Sequence, residues 1–232
     1  MHDPDSQGFP HVPTAQSSHC LVVGVSGGSG AGKRRIIDDY LMPVLQDRAL
    51  ILEHDWYYRE LPDLMAVQGV TSQLQINYDH PDAYDNALLI RDIRALRAGL
   101  TIDVYPYQKG VGMRSSHPVI IEPRPVVIVD GMMVLAVPEL AAELDLKAFV
   151  YASDEVRLRR RVARDLSFAS EEESQLRFTR DVLPAHHQFV EPARATADFI
   201  LDNGLDGEDA SGVAPFLSDI LARLASFESR QR

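Results

Sequence analysis

Short, unbroken apolar runs recur along the chain and alternate with longer stretches of helical spacing. Cys20-Leu21-Val22-Val23-Gly24-Val25 has no polar position at all, the pattern of a strand covered on both faces. Similar runs return at 49–52, 126–129, 148–151 and 199–201. Between them, apolar residues spaced three and four apart predict helices over 33–46, 84–98, 154–166, 171–187 and 213–227. Strands alternating with helices predict an α/β fold with a mainly parallel, open sheet flanked by helices. Two further extended stretches, 101–105 and 119–122, flank the Gly-rich segment Gln108-Lys109-Gly110-Val111-Gly112 and predict a small β-hairpin outside that sheet. Residues 1–18 are rich in Pro, Ser, Gln and His and lack periodicity, so they read as a flexible tail. The rest, 19–232, reads as one domain, with the hairpin insertion at about 101–122 and a lid region at about 157–180.

Composition narrows the classes of function. Asp plus Glu number 34 against 23 Lys plus Arg, a net charge of -11 over 232 residues. A polyanion meets repulsion at such a surface, so neither nucleic acid nor an anionic membrane is an expected partner. The single cysteine, Cys20, excludes an internal disulfide and a cysteine-based zinc cage. No run approaches 18 apolar residues, and the N-terminus has neither a basic nor an apolar leader region. The expectation is a soluble, cytoplasmic protein, with a homo-oligomer left open.

The strongest local signal follows the first strand. Gly27-Gly28-Ser29-Gly30-Ala31-Gly32-Lys33 matches G-x-x-x-x-G-K in the required strand, loop and helix context. Glycines let successive N–H groups point into one concavity, the helix N-terminus adds partial positive charge, and Lys33 reaches the outer phosphates. The residue after the lysine, ordinarily a metal-ligating Ser or Thr, is Arg34, followed by Arg35. A guanidinium has donors only, so Arg34 cannot ligate Mg²⁺; it either pairs with phosphate oxygens or turns outward.

Carboxylates recur at strand ends, where ligands bind in open α/β sheets. Asp55, in Glu53-His54-Asp55-Trp56-Tyr57-Tyr58, could accept the proton of an attacking hydroxyl or cap a turn. Asp130 closes the apolar run Val126–Val129 and could support Mg²⁺ or orient the attacking group. On a helix over 154–166, Arg157, Arg160, Arg161 and Arg164 share one face at 100° per residue, suited to phosphates or to a solvated, paired surface.

Six motifs in order resemble the uridine/cytidine kinase family, within the wider group that includes phosphoribulokinases. They are GGSGAGK, HDWYYR, NYDHPDAYDNALL (77–89), VVIVDG, DLKAFVYASDEVRLRRRVARD (145–165) and LPAHHQFVEPARATADFIL (183–201). The resemblance implies a P-loop kinase that moves the γ-phosphoryl of ATP to the 5′-hydroxyl of a pyrimidine nucleoside. It implies that Asp55 is the general base, that Asp79 grips ribose hydroxyls, and that Tyr107 helps enclose the acceptor. Arg161 and Arg164 match arginines near the phosphates, and Arg114 is retained on the acceptor side. Asp130 stands where the family usually has Glu.

The departures cluster at the site. Besides Arg34, the family's Asp and Phe after Tyr107 are Gln108 and Lys109, and its base-reading His is Gly112. An arginine-rich lid has become Phe168-Ala169-Ser170-Glu171-Glu172-Glu173, and the segment I-P-R-G-G-x-N has become Leu201-Asp202-Asn203-Gly204. The expectation is therefore an ATP-dependent kinase acting on a nucleoside, a sugar or a related small alcohol, with Mg²⁺ in doubt at Arg34. The alternatives are a nucleotide-binding protein with little or no turnover and an anion binder that uses Arg34 in place of the metal.

Overall fold

The computed structural model describes residues 19–167, 169–204 and 210–230, so the expected N-terminal tail lies outside it. Its centre is a sheet of β1 (Leu21–Ser26), β2 (Ala49–Glu53), β7 (Val126–Asp130), β8 (Leu146–Tyr151) and β9 (Phe199–Asp202). The order is β2-β7-β1-β8-β9, and every pairing is parallel.

The unbroken apolar runs follow from burial on both faces. In β1, Leu21, Val23 and Val25 pack into one core with Ile36, Ile37 and Leu41 of the first helical run and Phe216 and Ile220 of the last. Val22 points to the opposite core, with Leu89, Ile93 and Leu96 of the helix Asn86–Arg97. β7 alternates likewise: Val126 and Ile128 face the first core, Val127 and Val129 the second. At roughly 25 cal/mol per Å² of apolar surface, each such residue contributes about 1.5–3 kcal/mol; the one polar residue of β1, Ser26, is buried with its hydroxyl donating to the Met132 carbonyl at 2.9 Å. The strand between loop and sheet centre is thus the most heavily covered one, which anchors whatever its carboxyl end carries.

The helical pattern is met with shifted ends. The first helical run covers 33–45 and includes a wider-turned stretch, Ile36–Leu41. The helix expected from 84 begins at Asn86, because Asp85 accepts from the Leu88 N–H at 3.1 Å and caps it. The helix Asp154–Asp165 starts under a Ser153 cap, and helical structure continues from Glu171 past His187 to Ala193. One helix, Leu61–Gln68, is not predicted by apolar spacing; Pro62 near its start and left-handed Gly69 at its end are the local signals that mark it.

The insertion forms outside the sheet. β3 (Ile102–Val104) pairs antiparallel with β6 (Val119–Ile121), and a shorter ladder of β4 (Tyr107–Gln108) with β5 (Met113–Arg114) lies between them. Gly112, at φ 76, ends the turn with its carbonyl accepting from the Leu61 N–H at 2.8 Å. That bond ties the tip of the insertion to the helix Leu61–Gln68 and brings Lys109 over the sheet's carboxyl edge.

Candidate active site

The loop between β1 and the first helix is held by its surroundings as much as by its glycines. Gly27, Gly30 and Gly32 have φ of 142, 84 and 91°, a region that side chains resist. A Cβ at Gly28 would stand 2.5 Å from the Arg157 guanidinium carbon, and one at Gly30 would stand 2.4 Å from the Arg157 carbonyl oxygen. The helix Asp154–Asp165 therefore lies directly on the loop. Arg157 Nε donates to the Ser29 carbonyl at 3.1 Å and Nη1 to Asp154 at 2.8 Å. Arg160 donates to the Ala31 carbonyl at 3.3 Å, and Arg161 to the Ser29 hydroxyl at 2.9 Å. From the other side Asn203, buried after β9, donates to the Ala31 carbonyl at 2.8 Å and accepts from Arg35 at 3.1 Å.

Of the arginine face, Arg157, Arg160 and Arg161 meet the loop. Arg164 lies farther along, more than half exposed, and pairs with Asp165 at 3.0 Å. Arg157 is the most buried of the four, and its guanidinium sits 5.5 Å from the Phe178 ring centre. Periodicity puts Arg157 on the same face as Arg160, Arg161 and Arg164, but not its contact with the loop backbone at Ser29. Arg35 is a support for Asn203 in this structure, not a residue facing the loop's concavity.

Lys33 Nζ donates to the Gly27 carbonyl at 2.8 Å, so the lysine arches over its own loop. Burial lowers its pKa, while the nearby Asp130 and Asp55 carboxylates oppose that shift. Arg34 turns outward. Its Nε lies 2.7 Å from Asp38 and its Nη1 2.8 Å from Glu53, with over half of the side chain exposed. Glu53 is in register with Asp130 on the adjacent strand, so Arg34 offsets one of two side-by-side carboxylates.

Asp130 ends β7 with its Oδ1 buried and without a hydrogen-bond partner. Burial raises its pKa; Lys33 lowers it, and Asp55 and Glu53 raise it further. An orphaned carboxylate oxygen beside the loop fits a Mg²⁺ that draws most of its ligands from phosphates and water. Among the described residues, no group of three or more His, Cys, Asp or Glu side chains forms a cage by itself.

The opposite wall is zipped from two segments. The Arg59 N–H donates to the Ala83 carbonyl at 2.9 Å and the Asp85 N–H to the Tyr57 carbonyl at 2.7 Å. Within Asp79–Asp85, the His80 side chain caps the turn Pro81–Ala83, Ala83 is fully buried, and Asp85 also meets Arg114 at 3.2 Å. Tyr84 stacks between His54, at 3.9 Å, and Tyr58, at 4.3 Å, and its hydroxyl lies 2.7 Å from that of Tyr58. Tyr107 is buried against Tyr58 at 5.3 Å. These rings form an apolar floor under two carboxylates, Asp55 and Asp79.

The two carboxylates differ in environment. Burial would raise Asp55, but the Lys109 ammonium, 2.6 Å from its Oδ2, outweighs burial through charge and hydrogen bond and holds it below the usual range. Asp79 is raised, chiefly by burial and with Asp181 and Asp55 adding to it, against Arg161 and Lys109. Asp55 thus remains an anion beside Lys33, and Lys109 feels both carboxylates. The acidic triplet has a local reason as well. Glu171, Glu172 and Glu173 occupy the first turn of a helix capped by Ser170, where the helix dipole favours negative charge.

A family model described as Phosphoribulokinase / Uridine kinase family matches residues 22–208. A uridine kinase of Chloroflexus aurantiacus is 35% identical over 190 residues, which cover 81% of this chain and 89% of that one. A uridine kinase of Streptococcus gordonii is 34% identical over 192 residues, covering 82% and 90%. The solved phosphoribulokinase from Rhodobacter spheroides superimposes with a TM-score of 0.57 at 16% identity, over 79% of this chain and 70% of that one. Among the described residues, no helix is long and apolar enough to cross a membrane.

Proposed function

This chain belongs to the phosphoribulokinase/uridine kinase family, and from that membership we propose that it transfers the γ-phosphoryl group of ATP to a hydroxyl of a small polyhydroxy acceptor, a nucleoside or a related compound. The observation that carries this reading is the pairing of a buttressed phosphate loop with Asp55 on the facing wall, kept ionised beside Lys33. Phosphoryl transfer is mostly positioning and electrostatic stabilisation, and both parts are supplied by this arrangement.

In this reading the loop amides of Gly27–Gly32 and Lys33 cradle the phosphates, with Arg161 at their side. Asp79 orients the acceptor through its hydroxyls, over the floor of Tyr58, Tyr84 and Tyr107. The attacking hydroxyl oxygen bonds to the γ-phosphorus as the bond to the β–γ bridging oxygen breaks, ADP departs, and Asp55 takes the hydroxyl proton. Asp130 is the residue that would hold Mg²⁺, which when bound neutralises charge on the β- and γ-oxygens.

Two features favour a second reading, nucleotide binding with little turnover. Arg34 stands in place of the metal-ligating hydroxyl, and Lys109 occupies Asp55. Calorimetry with ATP, with and without Mg²⁺, followed by ADP release across a panel of nucleosides and sugars, separates the two. Mg²⁺-dependent binding with acceptor-dependent ADP release supports the kinase; metal-independent binding without ADP release supports the second reading.

A further inference from the structure

The acceptor wall carries a cation that a neutral polyol would not need. Lys109 Nζ lies 2.6 Å from Asp55 Oδ2 and 5.8 Å from the centre of the Tyr58 ring, yet its side chain is about two-thirds exposed to solvent. Its position is set by the backbone. The Val111 and Gly112 N–H groups both donate to the Gln108 carbonyl at 2.9 Å, and Gly112 is anchored to Leu61. The loop that presents Lys109 is therefore a closed turn on a fixed point.

A hydroxyl of an uncharged acceptor gains nothing from this ammonium. It must instead compete for Asp55 with an ammonium already 2.6 Å from Oδ2. An acceptor bearing its own anion reverses the balance. The anion draws Lys109 to itself, and Asp55 is released toward the hydroxyl.

From this geometry we infer that Lys109 selects a hydroxyl acceptor that carries an anionic group, a carboxylate or a phosphate, and releases Asp55 only when that group is bound. The inference rests on the kinase reading and narrows its acceptor. Lys109 is a specificity-determining residue in this scheme, and Asp55 remains the group that meets the reacting hydroxyl.

The test uses the full chain and acceptors matched except for charge: glycerol against glycerate for the carboxylate, ribose against ribose 5-phosphate for the phosphate, with uridine as a neutral nucleoside. ADP release gives kcat/KM for each, and calorimetry in the presence of a non-hydrolysable ATP analogue gives binding. The expected result is that one anionic member exceeds its neutral partner by about a hundredfold, and which pair does so distinguishes carboxylate from phosphate. In Lys109→Met that ratio falls at least tenfold. A preference for uridine or for the neutral member of both pairs overturns the inference, as does an unchanged ratio in the variant. If no acceptor is phosphorylated, the kinase reading fails by itself and binding decides the inference. An anion bound by the wild type and lost in Lys109→Met upholds it; no anion bound, or equal binding by both, overturns it.

Discussion

Arg157 Nε donates to the Ser29 carbonyl oxygen at 3.1 Å, joining residues 128 positions apart and making the helix Asp154–Asp165 a strut for the phosphate loop. The arginine is buried to 1% exposure, and Asp154 partners its charge at 2.8 Å. Guanidinium burial is costly, so a residue placed there on a Gly-rich loop fits a need to hold that loop in one shape. Arg157→Met leaves Asp154 without its buried partner and frees the Ser29 carbonyl. Thermal or denaturant unfolding should show a loss of about 1–2 kcal/mol, chiefly from the Ser29 carbonyl, since Asp154 is 41% exposed and keeps His187 at 3.0 Å. Calorimetry below the new melting point should show ATP affinity reduced about tenfold. Unchanged affinity in a folded variant would confine Arg157 to stability.

The base assignment is tested at Asp55. Asp55→Asn keeps the shape of the side chain and removes its basicity, and it should lower turnover by roughly two to four orders of magnitude. ATP binding should stay within a few-fold, because Asp55 lies on the wall facing the loop and not in the loop itself. Full turnover in the variant would remove Asp55 from the proton-transfer role and leave it as a partner of Lys109.

What the sequence made legible depended on the range of the interactions. β1 and β7 were readable because burial on both faces selects apolar residues at nearly every position, a rule that acts position by position. The loop from Gly27 to Lys33 was readable because its conformation is encoded within seven neighbours. Asn203 holds the Ala31 carbonyl from 172 positions away, and Lys109 holds Asp55 from 54. No local pattern marks such residues; Asn203 followed by a glycine at the end of a strand reads as a turn. The arginine stripe was visible as a face, but periodicity could not say that Arg157 goes inward and Arg164 outward. The acidic triplet Glu171–Glu173 was visible as a charge run, but not as the first turn of a helix capped by Ser170.

His54 gives the protein an acid-sensitive core. It is fully buried between Tyr84 and the sheet, its Nε2 lies 2.9 Å from Asn86 Oδ1, and burial lowers its pKa to about 4 despite that bond. Its unfolded value is 6.5, so between pH 6.5 and 4 the unfolded chain binds the proton and the folded one does not. Stability is therefore full above that window and falls as pH drops through it, by about 2 kcal/mol at pH 5 relative to pH 7 from this residue. His54→Phe keeps the ring stack and removes the titration. The variant should be less stable at pH 7, from the lost Asn86 bond, but its stability should fall less steeply toward pH 5. His186, lowered to about 3 by burial, retains part of the slope. Parallel slopes for variant and wild type would show that His54 is protonated without cost.

Arg34 decides how this loop meets a metal. Its guanidinium is committed to Asp38 and Glu53, at 2.7 and 2.8 Å, and points away from the concavity that Lys33 spans. Both pairs are exposed enough that their loss should change stability by no more than about 1 kcal/mol. The charge still lies close enough to Asp130 to lower its pKa, and a cation there repels a second one. Arg34→Thr removes that charge and supplies a hydroxyl with lone pairs at the first turn of the helix. Titration of ATP in Mg²⁺ should then show tighter binding than in the wild type, by roughly three- to tenfold, with any phosphoryl transfer raised as well. In EDTA the two proteins should bind ATP alike, since the wild-type guanidinium is held by carboxylates and makes no phosphate contact. If Arg34 instead leaves its carboxylates and replaces the metal, the variant loses affinity in EDTA by about tenfold or more, the value of a charge-assisted contact. The presence or absence of an affinity loss in EDTA therefore distinguishes a loop that keeps its metal at reduced affinity from one that has exchanged the metal for an arginine.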